Sequence, residues 1–131
     1  MTALPDWPDG TVTVLSTGAG PPHAIPVSTA VRSGPATVHL ALGLRRESLA
    51  RLREDPHCAL TVLAAGVAVT AYATASVVEQ SDRVAFLRLD VDSVQDHDQP
   101  TFEIEDGVRW RWTDEDAEAG DADVRATLRR L

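Results

Sequence analysis

The 131-residue chain is expected to fold as one mainly β domain, with antiparallel strands that close or nearly close into a barrel. Three observations predict this. Runs rich in Val, Thr, Leu and Ala recur along the chain, separated by Gly- and Pro-containing turns. Before residue 113 only one stretch has helical spacing. With about six or seven strands and so little helix, rolling up the sheet is the economical way to remove exposed edges.

Each element follows from its residues. "TVTVLS" (11–16) reads as the first strand and "TGAGPP" as a turn. "HAIPVSTAV" (23–31) reads as a second strand, with Pro26 placing it at an edge or a bulge. "RSGP" turns the chain into a third strand, "ATVHLAL" (36–42). Residues 46–54 then read as a short helix. Leu49 and Leu52 share a face, Glu47 and Arg51 are spaced i, i+4 in the favourable order, and Pro56 ends the helix near Asp55. "CALTVLA" (58–64) and the small-residue run "VAVTAYATASVV" (67–78) are strands turning at Gly66. In "VAFLRLDVDSV" (84–94) the alternation changes parity at Val94, which predicts a bulge near Asp92 or Ser93.

"TFEIEDGVRWRW" (101–112) reads as a hairpin. A three-residue loop, Glu105-Asp106-Gly107, sets Phe102 opposite Trp110 and Glu103 opposite Arg109, with Gly107 in the left-handed position. Residues 114–123 read as a solvated acidic segment. Val124, Leu128 and Leu131 have helical spacing, so a short C-terminal helix is expected from about Asp123, with 114–131 peripheral to the domain.

Composition narrows the function. A net charge of −8 argues against a general nucleic-acid or anionic-membrane binder. No apolar run approaches the roughly 20 residues that span a bilayer, and the first residues lack the pattern of a secretory signal, so a cytoplasmic protein is expected. The single Cys58 rules out an intramolecular disulfide. His23, His39, His57 and His97 show no metal-ligand spacing, and no metal is expected. Cys58 beside His57 reads as a buried thiol rather than a nucleophile, since neighbouring strand residues face opposite ways. Trp7 is expected to tether the N-terminal segment. Trp110 and Trp112 share one face, for packing or for lining a ligand pocket.

One stretch stands out. The chain has twelve basic residues, all arginine, and four of them lie within positions 45–53. Arg45 and Arg46 fall at the start of the expected helix, where the helix dipole disfavours cations by roughly 0.3–1 kcal/mol each. Two arrangements resolve this. The guanidinium groups pair with some of the twenty acidic residues, or an anion sits on them together with the open N–H groups and the Ser48 hydroxyl.

The order of these segments resembles the FMN-binding split-barrel superfamily, which includes pyridoxamine 5'-phosphate oxidase-like and deazaflavin-dependent reductase-like proteins. The likeness runs from about Gly10 to Val78. Its most specific part is a strand leading into basic residues, then Leu52-Arg53-Glu54-Asp55-Pro56, then an apolar strand. The resemblance implies an antiparallel split β-barrel of Greek-key type and a homodimer with FMN, or alternatively a deazaflavin, at the subunit interface. It implies Arg46, with Arg45 and Ser48, at the cofactor phosphate, and Thr61 as a weaker candidate there. Ser48 stands where many relatives carry a lysine. Val27, Ser28 and Thr29 would lie along the flavin ring, and Trp110 near it or in a pocket. No catalytic residue is named, because redox chemistry would belong to the cofactor. The activity implied is flavin-dependent oxidoreduction of a small organic substrate. The alternatives are a non-catalytic flavin-binding module and a cofactor-free dimeric interaction protein.

Overall fold

The structure is a computed structural model that describes residues 3–131. Seven strands and two helices follow in the order β1 (Thr13–Thr17), β2 (His23–Val27), β3 (Val31–Gly34), β4 (Thr37–Gly43), α1 (Glu47–Glu54), β5 (His57–Ala64), β6 (Val67–Gln80), β7 (Val84–Asp96) and α2 (Glu115–Arg130). All pairings are antiparallel. They form one sheet of order β2-β1-β5-β6-β7-β4-β3.

The sheet is not closed by hydrogen bonds, because its edges are β2 and β3 and no ladder joins them. Yet these strands are consecutive, linked only by Ser28, Thr29 and Ala30. From Val27 to Val31 the chain can reach at most roughly 14 Å. A flat seven-stranded sheet would hold its edges roughly 29 Å apart. The sheet must therefore curl until its two edges approach, leaving a barrel split along residues 28–30.

Strand alternation fills the interior. Leu15 on β1, Val38 and Leu40 on β4, Leu60 and Val62 on β5, and Leu87 and Leu89 on β7 are fully or almost fully buried. Leu49 and Leu52 of α1 join the same core. The intervening residues face outward, so Val14, Leu63 and Tyr72 are exposed on adjacent strands β1, β5 and β6.

Several sequence expectations hold. Pro26 lies on an edge strand, where its missing N–H costs no ladder bond. Tyr72 pairs with Ser93 and Ala73 with Val91, so Asp92 is the extra residue of a bulge. Gly66 turns β5 into β6 at φ 68°.

Four expectations are corrected. The 23–31 segment is two strands, because Ser28–Ala30 carries the chain from one edge of the sheet to the other. The first helix therefore follows the fourth strand rather than the third. Residues 102–112 contain no strand. They lie along the barrel instead: Gly66 N–H donates to the Ile104 carbonyl, and Trp110 Nε1–H donates to the Gly10 carbonyl at 2.8 Å. Gly107 is absent from the left-handed region. A side chain there would meet the Leu63 carbonyl oxygen at 2.9 Å, so close backbone approach is what requires glycine. Finally, the acidic run is helical. The Asp114 side chain caps α2 by accepting from Asp116 N–H, Glu115, Asp116 and Glu118 occupy the first turn, and Arg129 and Arg130 the last. This charge order suits the helix dipole.

Two predictions follow from the packing. Leu60→Ala should cost about 2–5 kcal/mol in urea denaturation, whereas Leu63→Ala, on the open outer face, should cost less than about 1 kcal/mol. His39 is buried, with Nδ1 2.6 Å from Ser33 Oγ. Burial first, then the Arg88 charge, holds its pKa below 6.5, with Asp90 opposing. As pH falls below 6.5 the unfolded chain takes up this proton before the folded one does. Stability should then decline between pH 7 and 5.5, and His39→Gln should flatten that decline in urea midpoints.

Candidate functional site

The Arg-rich stretch folds as the sequence suggests. Arg46 is the N-cap of α1, with extended φ −68° and ψ 136°, and no side chain caps the helix. Its carbonyl accepts from Leu49 and Ala50, while the N–H groups of Glu47 and Ser48 have no acceptor among the described residues. Arg45 and Arg46 are exposed. Among the described residues, neither guanidinium makes an ion pair or a side-chain hydrogen bond.

The other two arginines of the stretch are engaged. Arg51 Nε–H donates to Glu47 Oε2 at 2.7 Å, and its Nη1 donates to the carbonyls of Gly18 and Pro21. That bond, more than any charge, holds the Glu47 carboxyl below its ordinary pKa, with His23 adding a smaller effect. Arg53 Nη2 lies 3.4 Å from Gln80 Oε1. Arg51 thus braces the β1–β2 turn, and only Arg45 and Arg46 of the four keep free forks.

Ser48 lies in the same cluster but is buried, at 1% exposure. Its Oγ is hydrogen-bonded to His23 Nε2 at 3.1 Å, and His23 Nδ1 lies 3.4 Å from Glu47 Oε2. Serine, imidazole and carboxylate stand in the order of a hydrolytic triad. The hydroxyl is sealed from solvent and the carboxylate already serves Arg51, so a nucleophilic role has no route to a substrate. No sequence spacing announced His23, which reaches Ser48 only because β2 runs beside α1.

The 27–29 segment is the seam of the barrel, and most of its acceptors are occupied. The Val27 carbonyl accepts from Thr13 Oγ1–H, and the Ser28 carbonyl from Arg125 Nη2–H at 2.8 Å. The Ala30 carbonyl accepts from Trp7 Nε1–H at 2.9 Å, which ties down the N-terminal segment as expected. Thr29 Oγ1 both donates to the Ala41 carbonyl and accepts from Ala41 N–H. Because these residues lie outside every ladder, the N–H groups of Ser28, Thr29 and Ala30 have no acceptor among the described residues. The segment is a strip of backbone donors.

Thr61 and Trp110 lie elsewhere. Thr61 Oγ1 is 3.1 Å from Thr70 Oγ1, which is 2.8 Å from His97 Nε2, a short chain on the outer face of β5 and β6. Trp110 packs edge-on against Trp112, with ring centroids 5.1 Å apart. A side chain at Gly10 would sit 3.6 Å from Trp110 and 4.0 Å from Arg125 Nη2, so Trp110 reaches the corner where Arg125 holds Ser28. Sequence reading missed Arg125. Its signal was Asp121 four residues earlier, with which it pairs at 2.7 Å.

Cys58 is a part-buried thiol. Burial, and secondarily the Asp92 charge, pushes its pKa to about 12. Folded protein should therefore react with a disulfide reagent at pH 8 far more slowly than urea-unfolded protein, as monitored by thiolate release.

No protein-family model and no curated protein matches the chain. Solved structures do. A putative pyridoxamine 5'-phosphate oxidase from Listeria innocua has a TM-score of 0.57 at 15% identity, over 66% of this chain and 88% of that one. BorF, the flavin reductase component of a bacterial two-component tryptophan halogenase, gives 0.60 at 14% identity, over 69% and 81%. The NADH:FAD oxidoreductase SgcE6 of Streptomyces globisporus C-1027 gives 0.58 at 17% identity, over 81% and 87%. These are similarities of fold.

Proposed function

We propose that this chain, which has the fold of the FMN-binding split-barrel superfamily, binds FMN and serves as a flavin-dependent oxidoreductase of a small organic substrate. The observation that carries this is the donor strip at the seam. Ser28, Thr29 and Ala30 present N–H groups that the sheet leaves unpaired. A flavin ring has an acceptor-rich edge of carbonyl oxygens and ring nitrogens. Ser28 and Thr29 would meet that edge through their open N–H groups, with Val27 beside them but paired in the β2 ladder, and the Thr29 hydroxyl, already bonded twice to Ala41, would not take part.

The phosphate would lie on Arg45 and Arg46 and the open N–H groups of Glu47 and Ser48. The buried Ser48 hydroxyl, held by His23, contributes to the shape of this corner more than to its charge. Thr61, engaged with Thr70 on the outer face of β5, is not assigned to the phosphate, and Trp110 would stand near the ring at the corner where Arg125 meets Ser28. Two free guanidinium groups suit the single phosphate of FMN. A deazaflavin's longer anionic tail would call on Arg51 and Arg53, which are engaged. When bound, a flavin supplies hydride transfer; the chain supplies orientation and charge.

The site is open on a single chain, since Arg45 and Arg46 stand at the surface. Val14, Leu63 and Tyr72 leave an apolar outer face on β1, β5 and β6. We assign this face to a second copy of the chain, which would cover it and wall the cofactor cleft.

Three measurements test this. Purified protein should quench FMN fluorescence on titration, and Arg46→Ala should weaken FMN roughly tenfold or more while leaving riboflavin, which lacks the phosphate, unchanged. Equal loss for both ligands would remove Arg46 from the phosphate. Sedimentation should give a dimer, with Leu63→Asp shifting it toward monomer. Reduced nicotinamide turnover by the flavin-loaded protein separates an oxidoreductase from a flavin carrier, and failure to bind any flavin would leave a cofactor-free interaction protein.

A further inference from the structure

The segment between β7 and α2 carries more than the barrel uses. From Phe102 to Trp112 it makes neither turn nor bend and joins no strand. Three contacts tie it to the barrel. The Ile104 carbonyl accepts from Gly66 N–H, Gly107 lies against the Leu63 carbonyl, and the Trp110 indole bonds Gly10. The rest of its backbone is open: the N–H groups of residues 103–106 and 108–112 have no acceptor among the described residues. Phe102, Val108 and Trp110 are exposed here, three of the nine large apolar side chains exposed among the described residues. That is a high concentration for eleven residues, and such patches mark contact surfaces.

The side chains are ordered symmetrically about Gly107. Glu105 and Glu103 stand two and four residues before it, and Arg109 and Arg111 two and four after it. Ile104 and Phe102 stand three and five before, Trp110 and Trp112 three and five after. The run therefore complements a copy of itself laid end for end, acid against base and apolar against apolar. A single chain leaves this unused. With no turn in the run its two halves stay apart, and none of the four charges makes an ion pair among the described residues. Two copies of net charge −8 repel one another, so a specific contact between them needs local attraction of this kind.

We infer that residues 102–112 are a self-association strap. The straps of two copies lie side by side and antiparallel about a two-fold axis at Gly107. Glu103 and Glu105 of one copy face Arg111 and Arg109 of the other, and the symmetry repeats both pairs. This rests on the second copy assigned above to the outer face, which the strap borders where Gly107 meets Leu63, and it names the charged part of that interface.

The test exchanges the charges in the full chain and reads association by sedimentation equilibrium. The double variants Glu103→Arg/Glu105→Arg and Arg109→Glu/Arg111→Glu each set like charges across the axis, and each should raise the dimer dissociation constant roughly tenfold or more. An equimolar mixture of the two should restore the wild-type value, because every facing pair is again opposite. Either variant dimerising as tightly as the wild type, or a mixture no tighter than its components, overturns the strap and leaves the outer-face assignment standing. A wild-type chain that stays monomeric at every concentration overturns both. Should a variant not fold, hydrogen exchange on the wild-type chain decides. The N–H groups of residues 102–112 should exchange more slowly at high protein concentration than at low, and exchange independent of concentration overturns the strap.

Discussion

Three residues joining the two edges of one sheet set the form of this molecule. β2 and β3 are neighbours in sequence and opposites in the sheet. A link as short as Ser28–Ala30 cannot span a flat sheet of seven strands, so the sheet has to roll. The roll creates the interior that Leu15, Leu40, Leu60, Leu87 and Leu89 fill, and it leaves a seam where no ladder forms. Thr29 stitches the seam to β4 through both polar groups of Ala41.

The seam explains where polar chemistry is available. Inside a ladder every backbone donor is consumed, so a barrel wall offers a ligand little but side chains. Along the seam the Val27, Ser28 and Ala30 carbonyls are taken by Thr13, Arg125 and Trp7, while the N–H groups of Ser28, Thr29 and Ala30 stay open. The start of α1 offers a second set of open donors, next to two free guanidinium groups in a chain of net charge −8. Against so negative a background, two unpaired arginines at the positive end of a helix are a local exception. They are also the feature most easily understood as serving an anion.

The same economy bears on the rest of the chain. His23, Glu47, Ser48 and Arg51 form one network that fixes the β1–β2 turn against α1. It leaves Arg45 and Arg46 as the only unengaged members of the cluster. At the other corner, Trp110, Gly10 and Arg125 converge on the seam from segments far apart in sequence. The C-terminal third is thus no passive tail. It rests on the backbone that the barrel leaves open.

Much of this was legible in the chain itself, because the signals were local. Alternation located most strands, Pro56 ended α1, Pro26 marked an edge or a bulge and lies on an edge, and the parity change at Val94 put a bulge near Asp92 or Ser93, which the structure has at Asp92. Four arginines in nine residues pointed to the start of α1. What the chain could not disclose was non-local. A run from 23 to 31 reads as one strand until the rolled sheet assigns its halves to opposite edges. Residues 101–112 pair well with themselves on paper, yet Gly107 lies against Leu63 and Trp110 bonds Gly10. The acidic run 114–123 looked solvated because its apolar spacing was poor, and its cap and charge order made it a helix. Local pattern decided most of the strands and the first helix. Only the tertiary structure decided which backbone groups remain unpaired, because that depends on how a seven-stranded sheet meets itself.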